Sequence, residues 1–316
     1  MAQILVLGGT GFIGRHVLNR LAALSHRAIV PTRRLSHARD LYLLPTADFV
    51  VADIHDDATL ARLVRGCQAV INLVGVLHSP AARGGEPYGS AFARAHVSLP
   101  RRLAEACEAA GVEQILHVSA LGASADAPSE YLRSKAAGEQ AVRGSGKVAT
   151  TIFRPSVVFG PEDRFLNLFA EFERLLPLMF LPCPQARFQP VYVQDVASAI
   201  SASLLNPTAY GANYPLCGNT VYTLTQLVEY VGRVTGHHRP VMGLSPSMSA
   251  MQARMMELSP LKLLTLDNIR SMQVDSVCDQ PLPFGLRATS LEAVAPSWLT
   301  SGPRKRFSFF RSRAGR

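Results

Sequence analysis

The opening fifteen residues constrain this chain more than any other stretch. Ile4-Leu-Val-Leu runs straight into Gly8-Gly-Thr-Gly11-Phe-Ile-Gly14-Arg, and apolar residues then recur at Val17, Leu18, Leu21 and Leu24. That is a hydrophobic strand, a glycine turn and a helix with one buried face. Gly8 allows a tight turn, Gly11 lets the backbone approach an anion with no Cβ in the way, and Gly14 lets the helix pack close to the strand. The free N–H groups and positive dipole end of such a helix suit a pyrophosphate. The G-x-x-G-x-x-G spacing is a variant of a dinucleotide-binding fingerprint, and its setting between strand and helix is what gives it weight. Thr10, Phe12 and Ile13 belong to the same candidate cradle.

The alternation continues. Strands are predicted at Ile4–Leu7, Arg27–Pro31, Phe49–Ala52, Ala69–Val74, Gln114–Val118 and Thr150–Phe153. Amphipathic stretches separate them, as at Leu99, Leu103, Ala106 and Ala110. The pattern predicts an α/β fold with a doubly wound parallel sheet of Rossmann type over residues 1–160. Prolines then cluster from Pro177 to Pro190, and helices are predicted at 194–205, 223–235, 246–258 and 265–273. Residues 161–300 are expected to form a smaller, mainly helical C-terminal lobe for substrate or partner. Residues 301–316 lack apolar periodicity and are expected to be a disordered tail.

Composition excludes several classes. A chain that is 48% hydrophobic and 17% charged is not intrinsically disordered. The longest apolar stretch, Leu175–Pro184, is too short and too interrupted by proline to span a membrane. Six of the nine net positive charges sit on Arg304, Lys305, Arg306, Arg311, Arg313 and Arg316, leaving +3 for residues 1–303. The body therefore carries no nucleic-acid footprint. Cys67, Cys107, Cys183, Cys217 and Cys278 are odd in number and form no C-x-x-C pair. They are read as reduced thiols, with no disulfide framework and no metal site. The strand pattern begins by residue 3, so no targeting segment and a cytoplasmic location are expected.

The end of the second strand bears on the choice of dinucleotide. NAD sites place an acidic residue there to hold the ribose 2′-hydroxyl. This chain has Thr32-Arg33-Arg34 and no acid until Asp40. Two guanidinium groups suit a 2′-phosphate, which predicts NADP(H) over NAD(H). Asp53, with Ile54 beside it, is placed to accept from an adenine amine; the other reading of these acids is a cap on the next helix through Asp56 or nearby. Leu73, Val74 and Gly75 end the fourth strand where backbone can meet a ribose.

Ser119, Tyr131 and Lys135 form a second constellation. Ser119 ends the fifth strand, and Tyr131 and Lys135 lie four apart on the following helix. A tyrosine hydroxyl is a poor acid at neutral pH, and a neighbouring ammonium is expected to lower its pKa. Lys135 can also hold a ribose, Ser119 a substrate carbonyl, and Tyr131 can pass a proton while a nicotinamide passes hydride.

With these residues in view, the chain resembles the extended and atypical short-chain dehydrogenase/reductase superfamily. Within it, the chain is most similar to the dehydrogenase-like accessory subunits of respiratory complex I and their bacterial relatives. Gly8–Gly14, Tyr131-Leu-Arg-Ser-Lys135, Phe153–Asn167 and Gln189–Val196 carry the likeness, which spans about residues 3–275. The resemblance implies tightly held NADPH, a setting in respiratory or quinone metabolism with a protein partner from it, and a nicotinamide bordered by Pro155, Ser156 and Val158. Its main implication is a cofactor-holding protein. An active oxidoreductase using Tyr131, Lys135 and Ser119 on a carbonyl or quinone-related substrate is the alternative, and an NADP(H)-dependent redox sensor is a third.

Some positions stay open. His96 stands where extended members often carry Asn, and reads either as its replacement in a water or backbone contact or as a helix-packing residue. Asp163 and Arg164 suggest an ion pair, and Asp195 a helix cap beside the positioning residues Gln189 and Tyr192. Met248, Met251, Met255 and Leu258 recur at helical spacing, as lobe core, as a lid or as a surface for a partner. The tail mixes its arginines with Phe307, Phe309 and Phe310, which suits either weak peripheral contact with an anionic membrane or a solvated extension.

Overall fold

The structure, a computed structural model, describes residues 1–300 apart from 83, 145 and 258–263. The tail and Leu258 thus lie outside the described residues. Seven strands form one parallel sheet: β1 (Gln3–Leu7), β2 (Arg27–Thr32), β3 (Ala47–Val51), β4 (Ala69–Asn72), β5 (Gln114–Val118), β6 (Ala149–Pro155) and β7 (Asn213–Leu216). Their order across the sheet is β7-β6-β5-β4-β1-β2-β3. In β1, Ile4 and Val6 enter one core while Leu5 and Leu7 enter the other. Burial of both faces is why these strands read as continuous apolar runs.

Helices Phe12–Ala23 and Val193–Ala202 cover one face through Val17, Leu18, Leu21, Val196 and Ile200. Helices Asp57–Val64, Leu99–Ala110 and Glu130–Arg143 cover the other through Leu60, Leu63, Leu99, Leu103 and Val142. The winding reverses between β1 and β4, so a crevice opens at their carboxyl ends, the usual ligand position in such sheets.

The doubly wound parallel sheet matches the expected fold class. Six strands fall where the apolar runs predict them, although β4 stops at Asn72 rather than Val74. The seventh is an addition from the range read as second lobe. Asn213-Tyr-Pro-Leu216 is short, does not alternate and contains Pro215. Proline is tolerated because β7 is an edge strand.

A third core joins Phe159, Leu166, Leu181, Leu227, Val231 and Trp298. Around it lie helices Leu166–Leu175, Leu224–Thr235, Pro246–Glu257 and Leu266–Ser271. Met179–Leu181 pairs with Val241–Gly243 in a two-stranded ladder. One sequence expectation fails here. Cys217 and Cys278 are joined by a disulfide, with Cα atoms 6.2 Å apart across a sequence separation of 61. Cys217 directly follows β7, and Gln189 accepts from the Cys278 N–H while donating to the Gly218 carbonyl. This long-range bracket, invisible in the cysteine spacing, brings the sulfurs together. Cys67, Cys107 and Cys183 remain free thiols. No helix among the described residues is long and apolar enough to cross a membrane.

Candidate functional site

The glycine turn lies at the reversal point of the sheet. Gly8 has φ +79°, and a Cβ there would press on the Leu73 carbonyl carbon at 3.1 Å. The Gly11 N–H donates to the Gly8 carbonyl at 3.0 Å. A Cβ at Gly14 would collide with the carbonyl oxygens of Gly8 and Gly9. Gly14 thus permits the helix to sit against the turn itself. No side chain caps the helix that begins at Phe12, so its first N–H groups are left for ligand or solvent. Thr10, Phe12 and Ile13 flank the turn, and the Phe12 ring lies against Gly160 beyond β6. Leu73 and Val74 run alongside, with the Leu73 N–H donating to the Leu7 carbonyl and the Val74 N–H to Asn72 Oδ1.

Arg33 and Arg34 are exposed directly after β2, and among the described residues neither forms an ion pair. After β3, Asp53 is exposed and accepts from the His55 N–H at 2.9 Å. The helix cap is Asp56, which accepts from the Thr59 N–H. Asp53 is therefore not the cap. Ile54 packs against the core.

Lys135 anchors the polar centre. It is buried, and Nζ donates to the Val118 carbonyl at the end of β5, 2.8 Å away. Gly75 lies beside it: a Cβ there would be 3.9 Å from Lys135 Nζ and 3.7 Å from His96 Nε2. Burial lowers the Lys135 pKa to about 8, against the opposing charge of Glu139. One turn further on, Glu139 accepts from Arg154 Nε at 2.8 Å and from its Nη2 at 2.5 Å. This two-pronged pair links the Lys135 helix to β6.

Tyr131 packs against Phe92 and His96, with ring centroids 5.9 and 5.6 Å away. Its pKa moves opposite to the expectation. Burial alone pushes it up to about 12, while the Lys135 ammonium donates to the Val118 carbonyl. Ser119 is buried, and its Oγ has no hydrogen-bond partner among the described residues. A buried hydroxyl of this kind is costly unless something completes it.

His96 makes the backbone contact that was one of its two readings. Nε2 accepts from the Val76 N–H at 3.1 Å, and Nδ1 lies 2.8 Å from Ser134 Oγ. Ser134 donates to the Tyr131 carbonyl, so it accepts from Nδ1–H, which assigns the neutral tautomer. Burial, helped by the charge of Lys135, lowers the His96 pKa to about 2. Gly138 makes this packing possible: a Cβ there would collide with the His96 carbonyl oxygen. Beneath the centre, Asn72 Nδ2 donates to His117 Nδ1 at 3.1 Å across the β4–β5 ladder. Asn72, His117, Ser134 and Glu139 were not singled out from sequence. Only Ser134, inside Tyr-Leu-Arg-Ser-Lys, carried a local signal.

Pro155, Ser156 and Val158 follow β6 at the same edge of the sheet. The Leu121 N–H donates to the Pro155 carbonyl, the Ser156 hydroxyl is committed to the Ser276 carbonyl at 2.8 Å, and Val158 pairs with Val191. Two further expectations fail. Asp163 is not the ion partner of Arg164: it accepts from the N–H groups of Gly160, Phe165, Leu166 and Asn167, fixing a turn. Asp195 caps no helix: it accepts from the N–H and hydroxyl of Thr289. The methionine face is not lobe core either, since Met248, Met251 and Met255 are exposed. The inward residues of that helix are the small Ser249 and Ala253.

Comparison with known proteins places this geometry in a family. The model of the NAD dependent epimerase/dehydratase family matches residues 4–215. The chain is 35% identical over 298 residues to NADH dehydrogenase [ubiquinone] 1 alpha subcomplex subunit 9, mitochondrial, of Mus musculus, covering 91% of this chain and 77% of that protein. It is 31% identical to the ceramide reductase of Caulobacter vibrioides, covering 74% of this chain and 70% of that protein. Among solved structures, Pal from Bacillus thuringiensis superposes with a TM-score of 0.72 at 17% identity, over 95% of this chain and 99% of that one. DesIV, a dTDP-glucose 4,6-dehydratase from Streptomyces venezuelae with NAD and TYD bound, does so with 0.65 at 22%, over 77% and 85%. The chain therefore belongs to the NAD dependent epimerase/dehydratase family.

Proposed function

We propose that this protein holds NADP(H), in preference to NAD(H), as a bound cofactor in respiratory or quinone metabolism. The observation that carries the reading is the uncapped helix start at Gly11–Phe12, beside two exposed arginines after β2 that have no ion partner among the described residues. The residues fit the group. A glycine cradle that a Cβ at Gly8 or Gly14 would crowd lies at the crevice, and just after β5 is the buried Ser119 hydroxyl, unpartnered among the described residues. Gly8, Gly11 and Gly14 would take the pyrophosphate, Arg33 and Arg34 the 2′-phosphate, and Lys135 with Tyr131 the nicotinamide ribose. Asp53 and Ile54 would line the adenosine side, the backbone of Leu73, Val74 and Gly75 would meet a ribose, and Pro155, Ser156 and Val158 would line the nicotinamide side. The cofactor supplies hydride chemistry when bound. The 35% identity to a complex I subunit supports a protein partner of respiratory type. On this reading residues 1–160 serve the dinucleotide and 161–300 the partner or substrate. The protein works in the cytoplasm, and its basic tail touches the membrane surface.

Mass spectrometry of small molecules released from purified protein tests the proposal. NADP(H) surviving gel filtration is the expected result. Calorimetry and thermal melts showing no affinity for any pyridine nucleotide would refute it. Pelleting with anionic liposomes that is the same for full-length protein and residues 1–303 would remove the membrane contact.

A second reading, a working oxidoreductase, is favoured by the unpartnered Ser119 hydroxyl and by the likeness to a protein named ceramide reductase. Here Tyr131 moves the proton and Ser119 holds the substrate oxygen. Turnover of a carbonyl or quinone substrate that Tyr131→Phe abolishes would establish it. Absence of turnover with bound nucleotide leaves the holder.

A further inference from the structure

A cavity of about 700 Å³ lies in the lobe between helix Pro246–Glu257, helix Leu266–Ser271 and the segment 183–186. Its walls are mainly apolar, with Pro184, Leu244, Ala250, Leu266, Ile269 and Met272 among them. Polar side chains interrupt it: Gln185 and Gln273 are on the lining, and two further features bear on a ligand. Ser249, only 1% exposed, lines the cavity with an Oγ that has no hydrogen-bond partner among the described residues. Arg254 and Arg270 also line it, and among the described residues no carboxylate pairs with either. Asp275, the acid on the lining, faces Arg187 at 3.5 Å.

An apolar trough with one buried hydroxyl and two unpaired cations describes its ligand. A sugar would leave the largely apolar walls uncovered. A wholly apolar ligand would leave Ser249 uncompleted and the arginines idle. We propose that the cavity binds an amphiphile. Its hydrocarbon chain lies in the trough, an ester, ether or amide oxygen takes the Ser249 hydroxyl, and an anionic head sits on Arg254 and Arg270. The volume falls within the range of pockets that bury most of a small ligand.

The cavity also has a structural tie to the candidate centre. Asp267, on the helix that contributes Leu266, Ile269 and Arg270, accepts from the Glu130 and Tyr131 N–H groups at 2.7 and 3.0 Å. Val274, just beyond that helix, packs in one cluster with Tyr131 and Leu132. As a substrate class, the amphiphile rests on the dinucleotide reading above; as a binding site, it does not.

Calorimetry of the full chain, without nucleotide, tests the site with decyl phosphate and decanoate below their micelle concentrations. Inorganic phosphate and decyl maltoside serve as controls. One-to-one binding of an anionic decyl compound is expected, and the preferred one tells a phosphate head from a carboxylate. Ala250→Trp, which fills the trough, should weaken it at least tenfold. Arg254→Ala with Arg270→Ala should do the same for the anions and leave decyl maltoside unchanged. Should the tryptophan variant misfold, photolabelling of the unaltered protein by a diazirine-tipped decyl phosphate replaces it. Label on 183–186, 244–254 or 266–275 supports the site. Label elsewhere, inorganic phosphate binding as tightly, loss of binding in Met251→Gln with Met255→Gln, or no binding at all would each overturn it. Nucleotide affinity measured on the same samples is independent, so either reading can fail alone.

Discussion

Lys135 and Val118 are joined end to end, the ammonium of one donating to the last carbonyl of the fifth strand at 2.8 Å. A cation is thus held in the interior by a backbone dipole and by the more distant charge of Glu139. Burial of this kind costs stability.

The cost has a defined pH window. The Lys135 pKa is about 8 in the folded chain against the ordinary 10.5 of a solvated lysine. Below pH 8 both states carry the proton and the full cost, about 3 kcal/mol, is present. Between 8 and 10.5 the unfolded chain binds more protons, so stability rises with pH. Lys135→Met should therefore be more stable than the parent at pH 7 by about 1–3 kcal/mol, with the gap closing towards pH 10.5. Urea unfolding of nucleotide-free protein at both pH values measures this. A variant less stable at pH 7 would contradict it.

Glu173 shows the opposite sign. It is fully buried, neither carboxyl oxygen has a hydrogen-bond partner among the described residues, and burial raises its pKa to about 7 although Arg239 opposes the shift. The folded state holds its proton between pH 4.5 and 7 while the unfolded chain has lost it, so stability falls as pH rises through that window. Glu173→Gln should remove this dependence and gain on the order of 3 kcal/mol at pH 8, with little gain at pH 4. Thermal melts across that range decide, and parallel pH profiles of parent and variant would count against it.

Gly138 is required by contact rather than by conformation. Gly138→Ala places a methyl group on the His96 carbonyl oxygen, and relief must separate two packed helices. A loss of about 2–4 kcal/mol is expected, typical of overpacking against backbone. Gly146→Ala, where a Cβ meets nothing within 4 Å but φ is +77°, should cost only about 1 kcal/mol. Equal losses in denaturant titrations would show that the close approach does not matter.

The two arginines after β2 give the cofactor test. Replacing Arg33 and Arg34 by Ala should weaken NADPH by about 1.5–3 kcal/mol for each charged hydrogen bond lost, and barely change NADH. Equal loss of both nucleotides in calorimetry would remove the proposed 2′-phosphate contact.

What the sequence made legible follows from how far each signal reaches. The glycine turn and six strands rest on neighbours within a few residues, and local pattern is enough for those. Asn72 and His117 meet only because β4 and β5 pair in register, with a sequence separation of 45 between them. The Cys217–Cys278 bond needs β7, and β7 itself is too short and too proline-marked to announce itself. The Tyr131 error has a different origin: helical spacing puts an ammonium nearby but says nothing of the water excluded around the ring.

Pro215 lies in the outermost strand, where no further neighbour pairs with β7. Lacking an amide hydrogen, it denies an incoming chain one rung at a flank that would otherwise be open to lateral growth. The fold therefore ends its layer with a residue that discourages copies from adding on at that side.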